Sequence, residues 1–197
     1  MVIEMRRGVM FISGLLIMTL GTVIMIESDI GLAAYDALCI GGANKLGVTS
    51  GNVYMLLGII IVCVNAVVQK EMPNVFSWIT SILVGIGVNF WMSVVSLNQH
   101  IYVKYVWFVV GMVVSSFGIA LYVSADLAKG PIDQLMLNIS AVLKGRTWAG
   151  KTIMELFFLW VAFVIKGPIG VGTVIVTFAS GFFIDIFIRC IERRKEK

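Results

Sequence analysis

The stretch SDIGLAAYDAL (28–38) is answered 97 positions later by ADLAKGPIDQL (125–135). Reading outward, Gly14, Gly21, Asp29, Asp36 and Leu38 recur as Gly111, Gly118, Asp126, Asp133 and Leu135. After a two-residue shift Gly51 and Met55 match Gly150 and Met154. Further on, Ser77, Ser81, Gly85 and Asn89 match Thr173, Thr177, Gly181 and Asp185 at an offset of 96. Ordered self-similarity at one spacing is the mark of an internal repeat.

Long apolar runs at about 8–26, 51–69, 74–96, 104–124, 149–166 and 170–190 predict six transmembrane helices. Two shorter segments, about 33–46 and 131–143, follow the first and fourth runs. About 14 residues of helix reach only about 20 Å, against a hydrocarbon core of about 30 Å. Each is therefore read as a re-entrant or interfacial half-helix. The predicted fold is an all-α membrane protein with six transmembrane helices plus two short re-entrant half-helices. It forms a single polytopic domain over 1–197, with repeat one at about 8–96 and repeat two at about 104–190. Three spans per repeat is an odd number, so the second copy must be inverted relative to the first, an arrangement typical of transport folds. If the short segments span instead, the repeats become parallel.

The 197 residues are 59% hydrophobic and 13% charged. Soluble domains carry about 45–50% apolar and about 25% charged residues, so a soluble fold is excluded, and so is disorder. The net charge of +4 reports topology rather than nucleic-acid binding. Cys39, Cys63 and Cys190 lack CxxC spacing, so no disulfide framework, metal site or cofactor is expected. Arg6 and Arg7 before an apolar run resemble a signal sequence, but the run is long and no A-x-A site follows, which predicts a retained first helix.

In the six-span arrangement Arg6, Arg7, Lys70, Lys129, Lys144, Arg146, Lys151, Arg189, Arg193, Arg194, Lys195 and Lys197 fall inside, and Lys45, Lys104 and Lys166 outside. This asymmetry puts both termini in the cytoplasm. An eight-span arrangement separates the charges equally well, so only segment length argues for six.

GIALYVSADLAKGPIDQLML (118–137) and KGPIGVGTVIVTFASGFFIDIF (166–187) resemble the YczE/YyaS/YitT group of bacterial integral membrane proteins. The resemblance implies a multi-pass plasma-membrane protein, often labelled a transporter, with no substrate to carry over. Ala33 and Ala34 stand where the second half has the glycine–proline pair.

Asp29 and Asp126 close the first and fourth helices, where a carboxylate either marks an ion or solute path or organises the turn. Pro131, preceded by Gly130 as a hinge, fits the first position of a half-helix and places Asp133 near its third, with Asp36 its counterpart. Such carboxylates cap free N–H groups or face a bound solute. The stripes Ser77–Ser81–Gly85–Asn89 and Thr173–Thr177–Gly181–Asp185 pack helices closely or line a pathway, with Arg189 one turn beyond Asp185. Glu155 lies four residues after Lys151, as an interfacial ion pair or a site residue. His100 falls in a loop with no candidate partner, and Trp78, Tyr102, Tyr105 and Tyr122 are read as interfacial anchors.

The leading expectation is a small transporter or channel for a cationic or zwitterionic solute, with its pathway between the repeats and the lipid bilayer as its solvent. The alternatives are a solute-binding subunit that needs a separate ATPase partner, and a membrane assembly factor. A homo-oligomer is compatible with either. No catalytic motif is present, so no enzyme is expected.

Overall fold

In lipid a backbone must close its hydrogen bonds within its own segment, so the apolar runs become helices. The computed structural model describes residues 2–72, 75–97, 100–127, 130–143 and 147–195. These form α1 (Val2–Ser28), α2 (Ala34–Leu46), α3 (Ser50–Gln69), α4 (Val75–Val94), α5 (Ile101–Ser124), α6 (Pro131–Val142), α7 (Thr147–Val164) and α8 (Val171–Lys195), with no strand among the described residues. Lys129, Lys144, Arg146 and Lys197 lie outside the described residues, as do the side chains of Asp133, Lys151, Arg194 and Lys195.

Five helices, α1, α3, α4, α5 and α8, are long and apolar enough to cross a membrane. The run expected as a further span forms α7, whose apolar part, Thr152–Val164, is shorter. The two short segments form α2 and α6, of 13 and 12 residues. Pro131 opens α6, where its missing N–H leaves no helical bond unmade, and Gly130 is the N-cap. Asp29, Lys70, Asp126 and Lys166 end or follow α1, α3, α5 and α7 with φ of 55°, 55°, 51° and 60°. Left-handed residues of this kind terminate helices. These four are repeat-matched, at offsets of 97 and 96.

The chain divides into two compact units, each drawing helices from both halves of the sequence. One comprises Met1–Ala33, Gly87–Leu127 and Pro168–Lys197; the other comprises Ala34–Ile86 and Ala128–Gly167.

In the first unit α1 and α5 run antiparallel along a glycine seam, and α8 packs on α5. A Cβ on Gly14 would meet the Tyr122 backbone at 2.5 Å, and one on Gly111 would meet Met25 Cγ at 2.8 Å. Gly21 faces the backbone of Ser115, and Gly118 that of Met18. Each contact maps onto the other when α1 and α5 exchange roles under the 97-residue shift. The seam ends match as well: Arg7 pairs with Asp126 at 2.9 Å and Lys104 with Asp29 at 3.3 Å. Tyr122, expected at an interface with water, is instead 6% exposed. Its ring packs edge-on against Phe11 at 6.2 Å, and Gly14 lies against its backbone and Cβ.

In the second unit α2 and α6 each pack against both α3 and α7. The stripe on α4 faces α3: a Cβ on Gly58 would meet Ser81 Oγ at 2.6 Å, and Gly85 lies against Met55 and the Gly51 carbonyl. Ser77 and Ser81 are buried, and Ser81 Oγ donates to the Ser77 carbonyl at 3.0 Å. Here the small residues serve close helix packing.

Candidate functional site

A charged side chain in an apolar protein needs a reason to be there, and the described aspartates give different ones. Asp29 and Asp126 are largely exposed at helix ends, paired with Lys104 and Arg7. Arg7 also donates to the carbonyls of Ala125 and Asp126, both at 2.9 Å, so its charge answers the α5 C-terminus as well. Asp185 is exposed on α8, with Arg189 at 3.9 Å one turn away.

Asp36 is different. It is the third residue of α2, half-buried, and accepts a hydrogen bond from the Tyr54 hydroxyl of α3 at 2.8 Å. Among the described residues no lysine or arginine forms an ion pair with it. Beside it on α2 is Tyr35, whose ring packs edge-on against Tyr54 at 5.7 Å and against Phe158 of α7 at 5.5 Å. Cys39, fully buried, follows Tyr35 by one helical turn. Burial pushes the Asp36 carboxyl up to about 6, with the Tyr54 hydrogen bond pulling the other way. Burial also raises the Tyr35 phenol and the Cys39 thiol, so both stay neutral near pH 7. The result is one carboxylate at the start of a short helix, with aromatic rings drawn from α2, α3 and α7.

The start of α6 is anchored by amides. Asn65 Nδ2 of α3 donates to the Pro131 carbonyl at 2.8 Å, and Asn138 Nδ2 donates to Asn65 Oδ1 at 2.9 Å. Gln69 and Gln134 both donate to Asn138 Oδ1, at 2.9 and 3.3 Å. Buried amides satisfied in this way fix one arrangement of their helices.

Asp133 is the third residue of α6, as its counterpart Asp36 is of α2. Glu155 is half-buried on α7 and Asn89 half-buried on α4; both have interaction partners. Thr173 is buried near the start of α8, where its hydroxyl accepts from the Gly170 N–H at 3.2 Å. Thr177 and Gly181 continue that helix, half-buried. His100 is the N-cap residue of α5 and has a partner. Tyr35, Tyr54, Phe158, Asn65 and Asn138 were not singled out in the sequence. For Tyr35 the available signal was adjacency to Asp36; for Asn65 it was an amide inside an apolar run.

Large apolar side chains cover the outside: Val9, Leu16, Phe163, Phe178 and Phe182 are all exposed. Water does not tolerate such a surface, whereas lipid requires it. With five helices able to span, the chain is a multi-pass helical membrane protein. Over residues 5–189 it matches, and belongs to, the family described as "Family of unknown function (DUF6198)". It is 33% identical over 184 residues to "Uncharacterized protein YyaS" of Bacillus subtilis, covering 91% of each chain. It is 26% identical over 179 residues to "Uncharacterized membrane protein YczE" of the same organism, covering 90% of this chain and 83% of the relative. The resemblance to YczE and YyaS read from the sequence is thereby borne out. An "Uncharacterized protein" of Haemophilus influenzae is 27% identical over 90 residues, 46% of this chain and 41% of the relative. No solved structure matches the chain.

Proposed function

We propose that this protein is a small transporter or channel of the bacterial plasma membrane for a small cationic or zwitterionic solute, with no enzymatic activity. In this reading α2 and α6 are re-entrant, the two halves are inverted-topology repeats, and both termini are cytoplasmic. The observation that carries the solute assignment is Asp36, half-buried, bonded to the Tyr54 hydroxyl, on a helix too short to span and lacking a basic partner among the described residues. Carboxylates kept within the depth of a membrane tend to mark paths for ions and solutes. The repeat reading is supported by α1 and α5, which are matched in sequence, antiparallel, and exchange contacts along their seam. Two equivalent spans that run in opposite directions give inverted copies. Helices of both repeats meet in the second unit, through the packing of α2 on α7 and of α3 on α6, and the pathway is assigned there.

The test is uptake of a panel of small labelled cations and zwitterions by vesicles containing the purified chain alone. Uptake is expected with the natural chain, abolished by Asp36→Asn and reduced by Asp133→Asn. No uptake of any panel member, with a tightly bound ligand and a co-purifying ATPase, would replace this reading by the binding-subunit one.

A further inference from the structure

We propose that Asp36, with the rings of Tyr54 and Tyr35 beside it, recognises the ammonium group of an organic cation. This deepens the reading of Asp36 as the solute site and rests on it. Asp29, Asp126 and Asp185 each have a lysine or arginine within 4.0 Å, whereas Asp36 has none among the described residues. The hydroxyl that Tyr54 donates to it is neutral. A carboxylate left without a counter-charge in apolar surroundings is complementary to a cationic guest. The surroundings then decide which cation. A hard inorganic ion needs about six oxygen ligands to replace its water. Asp36 instead holds the hydroxyl of Tyr54, whose ring packs on Tyr35 at 5.7 Å, and Tyr35 in turn packs on Phe158 at 5.5 Å. No group of three His, Cys, Asp or Glu that could hold a metal occurs among the described residues. Aromatic faces attract alkylammonium groups, whose methyl and methylene surface they also bury. Tyr35 and Asp36 are both half-buried on α2, and Tyr54, which donates to Asp36, packs its ring against that of Tyr35.

The experiment is thermal unfolding of the purified full-length chain in detergent. It is titrated with tetramethylammonium, n-butylammonium, potassium or sodium at matched ionic strength. The alkylammonium ions are expected to raise the midpoint saturably, and potassium and sodium to leave it unmoved. The half-saturating concentration should rise at least about tenfold in Asp36→Asn and in Tyr35→Leu. Asp36→Glu should restore most of the response, and Tyr54→Phe, which keeps the ring, should retain it. If Asp36→Asn does not fold, the Asp36→Glu and Tyr35→Leu pair carries the comparison. Equal protection by potassium, or an alkylammonium response unchanged in Asp36→Asn or Tyr35→Leu, overturns the proposal. The vesicle assay separates the two readings. Alkylammonium binding without uptake removes transport and leaves the site. Uptake lost in Asp36→Asn without any alkylammonium preference keeps transport and removes the organic cation.

Discussion

The half-helices α2 and α6 occupy matching places in the chain, yet at one matched position they close onto their neighbours by different chemistry. Gly41 of α2 and Asn138 of α6 correspond under the 97-residue shift. Gly41 lets α2 come so close to the end of α7 that an added Cβ would lie 2.7 Å from Gly167 Cα, while Gly167 itself faces the Ala37 carbonyl. Asn138 instead joins α6 to the end of α3 through Asn65 and Gln69. Two positions equivalent in the repeat thus carry a dry backbone contact on one side and a hydrogen-bonded amide cluster on the other. A backbone contact has one good geometry and no substitute partner. An amide cluster can exchange partners, or water, at less loss. At this matched position α2, which carries Asp36, is held by the unforgiving contact.

That contrast can be broken most forcefully at the glycines. Gly41→Val should destabilise the protein by about 3 kcal/mol in detergent unfolding, because neither α2 nor α7 can yield without losing the contact. Asn138→Ala should cost less, about 1–2 kcal/mol, since Asn65 keeps its bond to Pro131. A double-mutant cycle between Asn65 and Asn138 should give a coupling of about 1 kcal/mol. An Asn138→Ala loss as large as that of Gly41→Val would erase the distinction.

Asp36 sharpens the comparison through pH. Its carboxyl is raised in the folded protein to about 6 from an ordinary 3.8, so the folded state holds the proton longer. Stability should therefore fall as pH rises from about 4 to about 6 and level off above, a change of up to about 3 kcal/mol. Asp36→Asn should flatten that segment of the curve; an equally steep Asp36→Asn curve would place the titration elsewhere. The smallest effect belongs to the seam ends. Arg7→Ala should cost about 1 kcal/mol, because Arg7 also binds two carbonyls, and Lys104→Ala only about 0.3 kcal/mol.

Helix positions were legible because run length is a local property. The expected short segments, about 33–46 and 131–143, appear as Ala34–Leu46 and Pro131–Val142. Pro131 at the first position of α6 followed from the chemistry of one residue. The stripe on α4 was legible as a feature, but its use in packing against α3 was not, because small side chains suit both a seam and a pore. Asp36 was among the candidates on its position alone. Its partner Tyr54, and Phe158 against the neighbouring Tyr35, were hidden, since they come from separate helices, 18 and 122 positions after Asp36. Asn65 and Gln69 were absorbed into an apolar run, where an average over the run conceals one amide. Tyr122 was misassigned because closeness to a helix end implies an interface only when no neighbouring helix covers the ring, as Phe11 of α1 does here.

The glycine seam between α1 and α5 also sets a schedule for synthesis. Gly14 and Gly118 lie 104 positions apart, and the seam cannot close until both have been made. At about 5–20 residues per second that interval lasts about 5–20 s. Throughout it, the small-residue face of α1 waits in the membrane without its partner, open to any other helix nearby. Slowing translation between α1 and α5 should therefore lower the yield of folded protein.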